Sequence, residues 1–264
     1  MASRVSLKVH MIQIVRQECI YFCEAIVFYT RIPGPTWAGK DPAKMVHANK
    51  YLPIIGLLVA AISALALVAA SRLFPTDISI AIAMLASILI TGAFHEDGLA
   101  DVCDGFGGGY EREQIIRIMR DSRIGTFGVI GLISMLALKF LCLRELPLNQ
   151  CILSLFISQS LSRLSSLAIM CFLPYASDQG KIKSATSTWS WRDLLMGAAV
   201  GLLPISLMPQ VALMSILVFL GVFELGRRYF LRRLGGYTGD CLGAIQQITE
   251  LCLLMGIVVQ CRFG

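Results

Sequence analysis

Residues 92–109 read GAFHEDGLADVCDGFGGG and carry four acids, Glu96, Asp97, Asp101 and Asp104, with no lysine or arginine among them. Asp97, Asp101 and Asp104 are spaced i, i+4, i+7, which stacks them along one face of a helix. Carboxylates that close repel one another unless a cation neutralises them. Hard oxygen donors suit Mg²⁺ or Mn²⁺, and Mg²⁺ commonly joins one or two carboxylates to substrate phosphates. Asp97, Asp101 and Asp104 are therefore candidate metal ligands. A solvated acidic turn is the plainer reading, but Gly98 and the glycines at 107–109 also let a ligand approach the backbone closely. His95, just ahead of the acids, is of the type best poised for proton transfer near neutral pH. A structural hydrogen bond to a carboxylate is its competing role.

Four other segments carry complementary chemistry. In MRDSRIGTFG, residues 119–128, Arg120 and Arg123 bracket Asp121 and Ser122. Two guanidinium forks and the amides of a following helix start both suit phosphate oxygens. A plain basic run would suffice for membrane anchoring. In RRLGGYTGD, residues 232–240, Gly236, Thr238 and Gly239 can wrap a phosphate with backbone amides, and Asp240 can add a metal ligand; a simple glycine turn is the alternative. Arg31 is either a phosphate contact or an anchor at a membrane edge. Arg163 lies in the apolar stretch Leu148–Leu173 among serines 158, 160, 162, 165 and 166 and Gln159. A cation at such depth needs a partner or a polar cavity, and Glu224 and Glu250 are candidates for a structural pairing. Together these groups point to phosphoryl transfer, with Mg²⁺ bridging phosphates and arginines stabilising the transferring charge.

The scaffold that must position them is a membrane one. Hydrophobic residues make up 56% of the 264 and charged ones 15%, with a mean hydropathy of +0.71, whereas a soluble domain carries roughly a quarter charged residues. The expected fold is an all-α polytopic bundle forming a single domain, 1–264. It has about seven spanning helices, over Tyr51–Ser71, Ile78–Phe94, Ile124–Leu143, Leu148–Leu173, Leu194–Met208, Val211–Gly226 and Leu242–Gln260. The fifth is short enough to be a half-helix, since spans need about 17–25 residues. Ile12–Thr30 carries Arg16, Glu18 and Glu24 and is expected to lie in the interface or to insert partly. The first residues lack the compact apolar core of a cleaved leader.

With that topology, 18 Lys and Arg residues fall on one side and 4 on the other, which places the acidic motif in the cytoplasm. The net charge of +6 is then mostly topological and gives little support for nucleic acid. Nine cysteines without a CxxC pair argue against a disulfide framework. Most sit in apolar segments as small hydrophobes.

At this level of detail the chain resembles the cobalamin synthase family, the adenosylcobinamide-GDP ribazoletransferases of bacterial vitamin B12 assembly. The resemblance runs over nearly the whole chain, through Thr30-Arg31-Ile32-Pro33, Pro53-Ile54-Ile55-Gly56, HEDGLADVCDG at 95–105, MRDSRIGT at 119–126, Arg163, and LGGYTGDCLGA at 234–244. Two departures stand out: Gly92-Ala93 replaces a usual Gly-Gly, and Gln246 and Gln247 stand where the family often has a carboxylate. The resemblance implies that a ribose hydroxyl of α-ribazole or its 5′-phosphate attacks adenosylcobinamide-GDP and releases GMP, at a bacterial inner membrane. On this basis Asp97, Asp101, Asp104 and Asp240 are expected to hold Mg²⁺. Arg31, Arg120, Ser122, Arg123, Arg163, Gly236, Thr238 and Gly239 are expected to contact substrate, and His95 or Asp104 to act as base. The implied partners are those two substrates and the lipid bilayer, with a homo-oligomer or association with other corrinoid enzymes also open. A CDP-alcohol phosphotransferase expects Ala-Arg where this chain has Ala100-Asp101. A transporter expects its ionisable groups near the membrane midplane, where only Arg163, Glu224 and Glu250 are candidates.

The charge asymmetry predicts that cysteines introduced at Tyr110, Ile182 and Gly236 react with labels from the cytoplasmic side, and those at Pro75, Pro147 and Pro209 from the other. Opposite accessibility of Tyr110 and Gly236 would separate motifs that one substrate must bridge.

Overall fold

Long apolar runs broken by proline-containing turns form antiparallel helices joined by tight loops. The computed structural model describes residues 2–39, 41–176 and 191–263. Most of the loop expected over 174–193, including Ile182, lies outside the described residues. Among the described residues there are eleven α-helices and no strand. They are α1 (Ala2–Tyr29), α2 (Pro42–Ala48), α3 (Leu52–Ala70), α4 (Thr76–Thr91), α5 (Phe94–Gly108), α6 (Arg112–Met119), α7 (Thr126–Arg144), α8 (Leu148–Phe172), α9 (Trp191–Leu202), α10 (Ala212–Leu234) and α11 (Gly239–Phe263). The all-α bundle is as expected.

Among the described residues five helices are long and apolar enough to cross a bilayer: α3 with the short helical lead into it, α7, α8, α10 and α11. The two other spans expected from sequence are built differently. α4 has 16 residues and α9 has 12, and α9 continues as 3₁₀ turns over Leu203–Leu207 and Pro209–Val211. α4 and α5 together would make a sixth span, but they bend by 88°. We therefore read α5, with its four acids, as lying across one end of the bundle outside the spanning segments.

α8 is the most buried of the long helices and packs against α3, α9, α10 and α11. Its serines persist in an apolar setting because protein, not lipid, surrounds them and because several bond back to their own helix. The Ser154 Oγ donates to Cys151 O at 2.7 Å and the Ser165 Oγ to Ser162 O at 2.6 Å. Small residues also let the helices approach closely: a Cβ at Gly56 of α3 would meet the Ser160 Cα of α8 at 2.9 Å. α1 is tied on by Lys50, whose Nζ lies 2.7 Å from Glu18 Oε2 and 3.5 Å from Asp193 Oδ1 at the start of α9.

The α4–α5 corner needs two successive left-handed residues, Gly92 (φ 67°) and Ala93 (φ 59°). Among the described residues Ala93 is the only non-glycine with positive φ. Its Cβ makes that conformation costly, which gives the Gly92-Ala93 departure a physical consequence. Ala93→Gly is expected to stabilise the protein by about 1 kcal/mol, read as a raised thermal midpoint in detergent. A lowered midpoint would show that the methyl packs favourably.

Candidate functional site

The motif-bearing segments meet at one end of the bundle. Arg112 Nε of α6 donates to Leu234 O at 2.8 Å, and Arg233 Nη2 of α10 donates to Gly109 O at 2.8 Å. The loop after α8 bonds to the loop before α11: Ala176 N donates to Tyr237 O at 2.8 Å and Tyr237 N to Pro174 O at 3.0 Å. α5 crosses the start of α11 through glycines. A Cβ at Gly98 would stand 2.9 Å from Asp240 O, and one at Gly243 would stand 3.0 Å from His95 O. The chain before α3 joins them as well, with Arg31 N donating to Ile90 O at 2.7 Å and the Arg31 guanidinium lying over Gly92.

The acids of α5 grade from open to closed: Asp97 is exposed, Asp101 partly buried, and Asp104 buried. Asp101 feels the charges of Asp240, Asp97 and Asp104. Burial first, and then those charges, push its carboxyl up to about 6. Asp97, Asp101 and Asp240 therefore share a region of mutual repulsion, and among the described residues neither the Asp97 nor the Asp101 side chain makes a hydrogen bond or an ion pair. Asp240 receives a long contact, 3.5 Å, from the Thr238 Oγ1 that also accepts from Cys241 N at the start of α11.

Asp104, expected as a metal ligand or base, makes structural contacts with the start of α7. Its Oδ2 accepts from Gly125 N at 2.7 Å and its Oδ1 from Gly128 N at 2.8 Å. It thus satisfies first-turn amides of α7 that have no partner within their own helix. Both donors must be glycine or nearly so, since a Cβ at Gly125 would lie 2.5 Å from Asp104 Oδ1 and one at Gly128 would collide with Oδ2. His95 is 3% exposed, against α11, with the Arg163 and Lys139 cations acting on it. Such surroundings disfavour taking up a proton and keep the imidazole neutral.

The remaining expected contacts separate. Arg120 is exposed, and its charge and that of Asp240 both act on the Tyr175 hydroxyl. Arg123 forks its neighbour instead: Nη2 meets Asp121 Oδ2 at 2.7 Å and Nε meets Oδ1 at 3.0 Å. That pair holds the exposed Asp121 down at about 2. Ser122 is exposed beside it. Gly236 is required by the loop pairing, because a Cβ there would strike Pro174 O, whereas Gly239 faces open space. Arg163 is not on this surface at all. It is 1% exposed, and its Nη1 donates to Gln159 O at 3.0 Å and to Gln159 Oε1. Glu224 is taken by Arg227 and Arg228, and Glu250 by Lys139 at 2.9 Å.

Two features escaped the sequence reading. Tyr175 and Tyr237 meet edge to face at 5.4 Å at the border of the acidic region, a contact between distant loops that no local pattern announces. Lys139 is the second, a cation in the apolar run of α7. Its position inside an apolar run was a signal for a buried partner.

As a metal site the region is incomplete by itself. Among the described residues no three His, Cys, Asp or Glu side chains are gathered tightly enough to enclose an ion. The donor chemistry nevertheless fits Mg²⁺, which keeps several waters and uses one or two carboxylates together with substrate phosphate. Asp97, Asp101 and Asp240 are the groups free to serve.

Comparison with known proteins matches residues 21–258 to the family described as Cobalamin-5-phosphate synthase. Three relatives each carry the name adenosylcobinamide-GDP ribazoletransferase. That of Leptothrix cholodnii is 35% identical, covering 93% of this chain and 97% of its own. That of Shewanella baltica is 39% identical, covering 92% and 95%, and that of Ralstonia pickettii is 39% identical, covering 89% and 93%. No solved structure matches the chain.

Because the Asp101 carboxyl is raised in the folded state, its charged form opposes folding when no cation is present. The penalty builds as pH rises from about 4 through about 6 and stays above that range. In chelator, Asp101→Asn is expected to melt progressively higher than wild type across this interval. Parallel melting curves at all pH values would remove the electrostatic reading of the acidic face.

Proposed function

The chain belongs to the cobalamin-5-phosphate synthase family, and on that premise we propose that it joins adenosylcobinamide-GDP to α-ribazole or α-ribazole 5′-phosphate. The products are adenosylcobalamin, or its 5′-phosphate, and GMP. The observation that carries the site is the meeting of Asp97 and Asp101 from α5 with Asp240 from α11. All of them stand on the end of a helical bundle with an apolar outer surface.

The reaction makes one phosphorus–oxygen bond and breaks another. A ribose hydroxyl attacks the phosphorus on the corrinoid side of the pyrophosphate, its proton passes to a carboxylate of the acidic face, and the bond to the GMP phosphate breaks. Such transfers rely mainly on alignment and charge neutralisation. Asp97, Asp101 and Asp240 would hold Mg²⁺, which when bound neutralises pyrophosphate charge. Arg120 approaches the same anion from the α6–α7 loop with a planar fork that suits phosphate oxygens. Asp104 acts at one remove by fixing the start of α7, and so the loop that carries Arg120. The basic-residue asymmetry supports a cytoplasmic active face on a bacterial inner membrane.

Membranes containing the protein, given labelled adenosylcobinamide-GDP and α-ribazole with Mg²⁺, should yield GMP and the joined corrinoid, and chelator should stop the reaction. No product from well-folded protein would overturn this reading. Arg120→Ala is expected to lower kcat/KM by about ten- to a hundredfold, the loss of one charge-assisted phosphate contact, with Arg120→Lys recovering only part. Arg123→Ala should cost much less, because its fork is already engaged by Asp121. Equal effects at the two positions would contradict the placement.

A further inference from the structure

The most extensive polar structure in the bundle lies beneath the acidic face and has no role in the chemistry above. Lys139 of α7 reaches α11, where its Nζ is 2.9 Å from Glu250 Oε2 and donates to Gln247 Oε1 at 2.6 Å. Glu250 is further held by Gln159 of α8 at 2.8 Å and by Gln246 at 2.8 Å. With its carbonyl oxygen engaged by Lys139, Gln247 has a fixed orientation, and its amide nitrogen donates to Gln246 Oε1 at 2.9 Å and to Glu96 Oε1 at 3.0 Å. Glu96 is in the first turn of α5, immediately before Asp97. Its other oxygen, Oε2, is buried without a partner, so the bond from Gln247 is the one that holds this side chain.

Lys139 and Glu250 are 5% exposed each, and a buried pair of charges is weak evidence of stability for its own sake, since an apolar pair of similar volume often serves as well. A charged pair retained at this depth invites a role in orientation. A cavity of about 20 Å³ lies beside the pair, lined in part by Glu96, Lys139, Gln159 and Glu250. The backbone of α5 is packed closely on α11 through Gly98 and Gly243, but beside the cavity the Glu96 side chain is held by the directed hydrogen bond from Gln247. At the other end of α5, Asp104 is fixed by the amides of Gly125 and Gly128. Asp97 and Asp101 lie between these two anchors.

We propose that Lys139, Glu250 and Gln247 are positioning residues. Through Glu96 they set the rotation of α5 about its axis, and thereby aim Asp97 and Asp101 toward Asp240 and an incoming divalent cation. The proposal rests on the functional reading above for the identity of that cation, and it makes the polar interior of the bundle an outer support of the surface carboxylates.

The test uses the whole protein in nanodiscs with two readouts, Mn²⁺ binding by electron paramagnetic resonance and amide hydrogen exchange of residues 94–108 in chelator. Gln247→Leu cuts the link while leaving the Lys139–Glu250 pair. It should weaken Mn²⁺ binding about tenfold, as the loss of outer support commonly does, and speed exchange in the first turns of α5. Glu96→Gln keeps an acceptor oxygen for Gln247 and should remain close to wild type in both. Should Gln247→Leu fail to accumulate, Glu96→Leu severs the same bond from a partly exposed position and carries the same expectation. A folded severing variant with wild-type Mn²⁺ affinity would overturn the proposal, even if exchange were faster, because the network would then support only the fold. Failure of the functional reading is distinguishable: wild-type protein itself would bind no Mn²⁺ or form no corrinoid product.

Discussion

The interaction on which the site depends is the capture of two helix-start amides by one carboxylate. Asp104 belongs to the helix that carries the acids, and Gly125 and Gly128 begin the helix that follows the arginine loop. The α7 start presents amides in need of acceptors, and a buried carboxylate needs donors in turn. Each requirement answers the other, and so the acidic helix and the arginine loop are placed by one contact. The glycines follow from it, since a side chain at either position would occupy the space of the Asp104 oxygens. The join between α5 and α7 ties the helix that carries Asp101 to the loop that carries Arg120.

The bundle beneath is organised by a second constraint, that polar groups inside a bilayer must find partners within the protein. α8 and α11 are the two most buried long helices, and they carry most of the internal polarity. Where α8 has serines, the hydroxyls bond back to their own helix or across to α3 and α11, as the Ser160 Oγ does to Pro53 O at 3.3 Å and the Ser166 Oγ to Leu242 O at 2.8 Å. Where it has Arg163, Gln159 supplies the acceptors. Outer helices such as α10, by contrast, bury little of their length and present Leu213, Leu217 and Leu225 outward, the expected arrangement against lipid tails.

Much of this was legible from residue order. Apolar runs and short turns gave the helical bundle, and the acidic run, the arginine loop and the glycine loop all lie at one end of it. What residue order did not give was the division of labour among similar groups. The i, i+4, i+7 spacing puts Asp97, Asp101 and Asp104 on one face, but which of them meets water and which meets α7 is set by tertiary contact. Arg120 and Arg123 look equivalent in sequence, yet Arg123 is closed on Asp121 while, among the described residues, no carboxylate pairs with Arg120. Arg163 is at membrane depth, as expected, but its acceptor is Gln159 and not a carboxylate. The carboxylate goes to Lys139, a residue whose place in an apolar run already demanded a partner.

The looseness of the carboxylate site follows from the same division. A full cage of acids would be most stable with its cation permanently bound, and a bound ion with saturated ligands has little to offer a phosphate. Here two of the four acids of α5 are committed to holding the helix, Glu96 at its start and Asp104 near its end. That leaves Asp97 and Asp101, with Asp240 from the neighbouring helix, too few and too spread to satisfy an ion alone. On the proposed function, Mg²⁺ would take its remaining ligands from water and phosphate, so that cation and pyrophosphate would each favour the other. The repulsion among Asp101, Asp97 and Asp240 acts in the same direction, because a cation placed between them would relieve it.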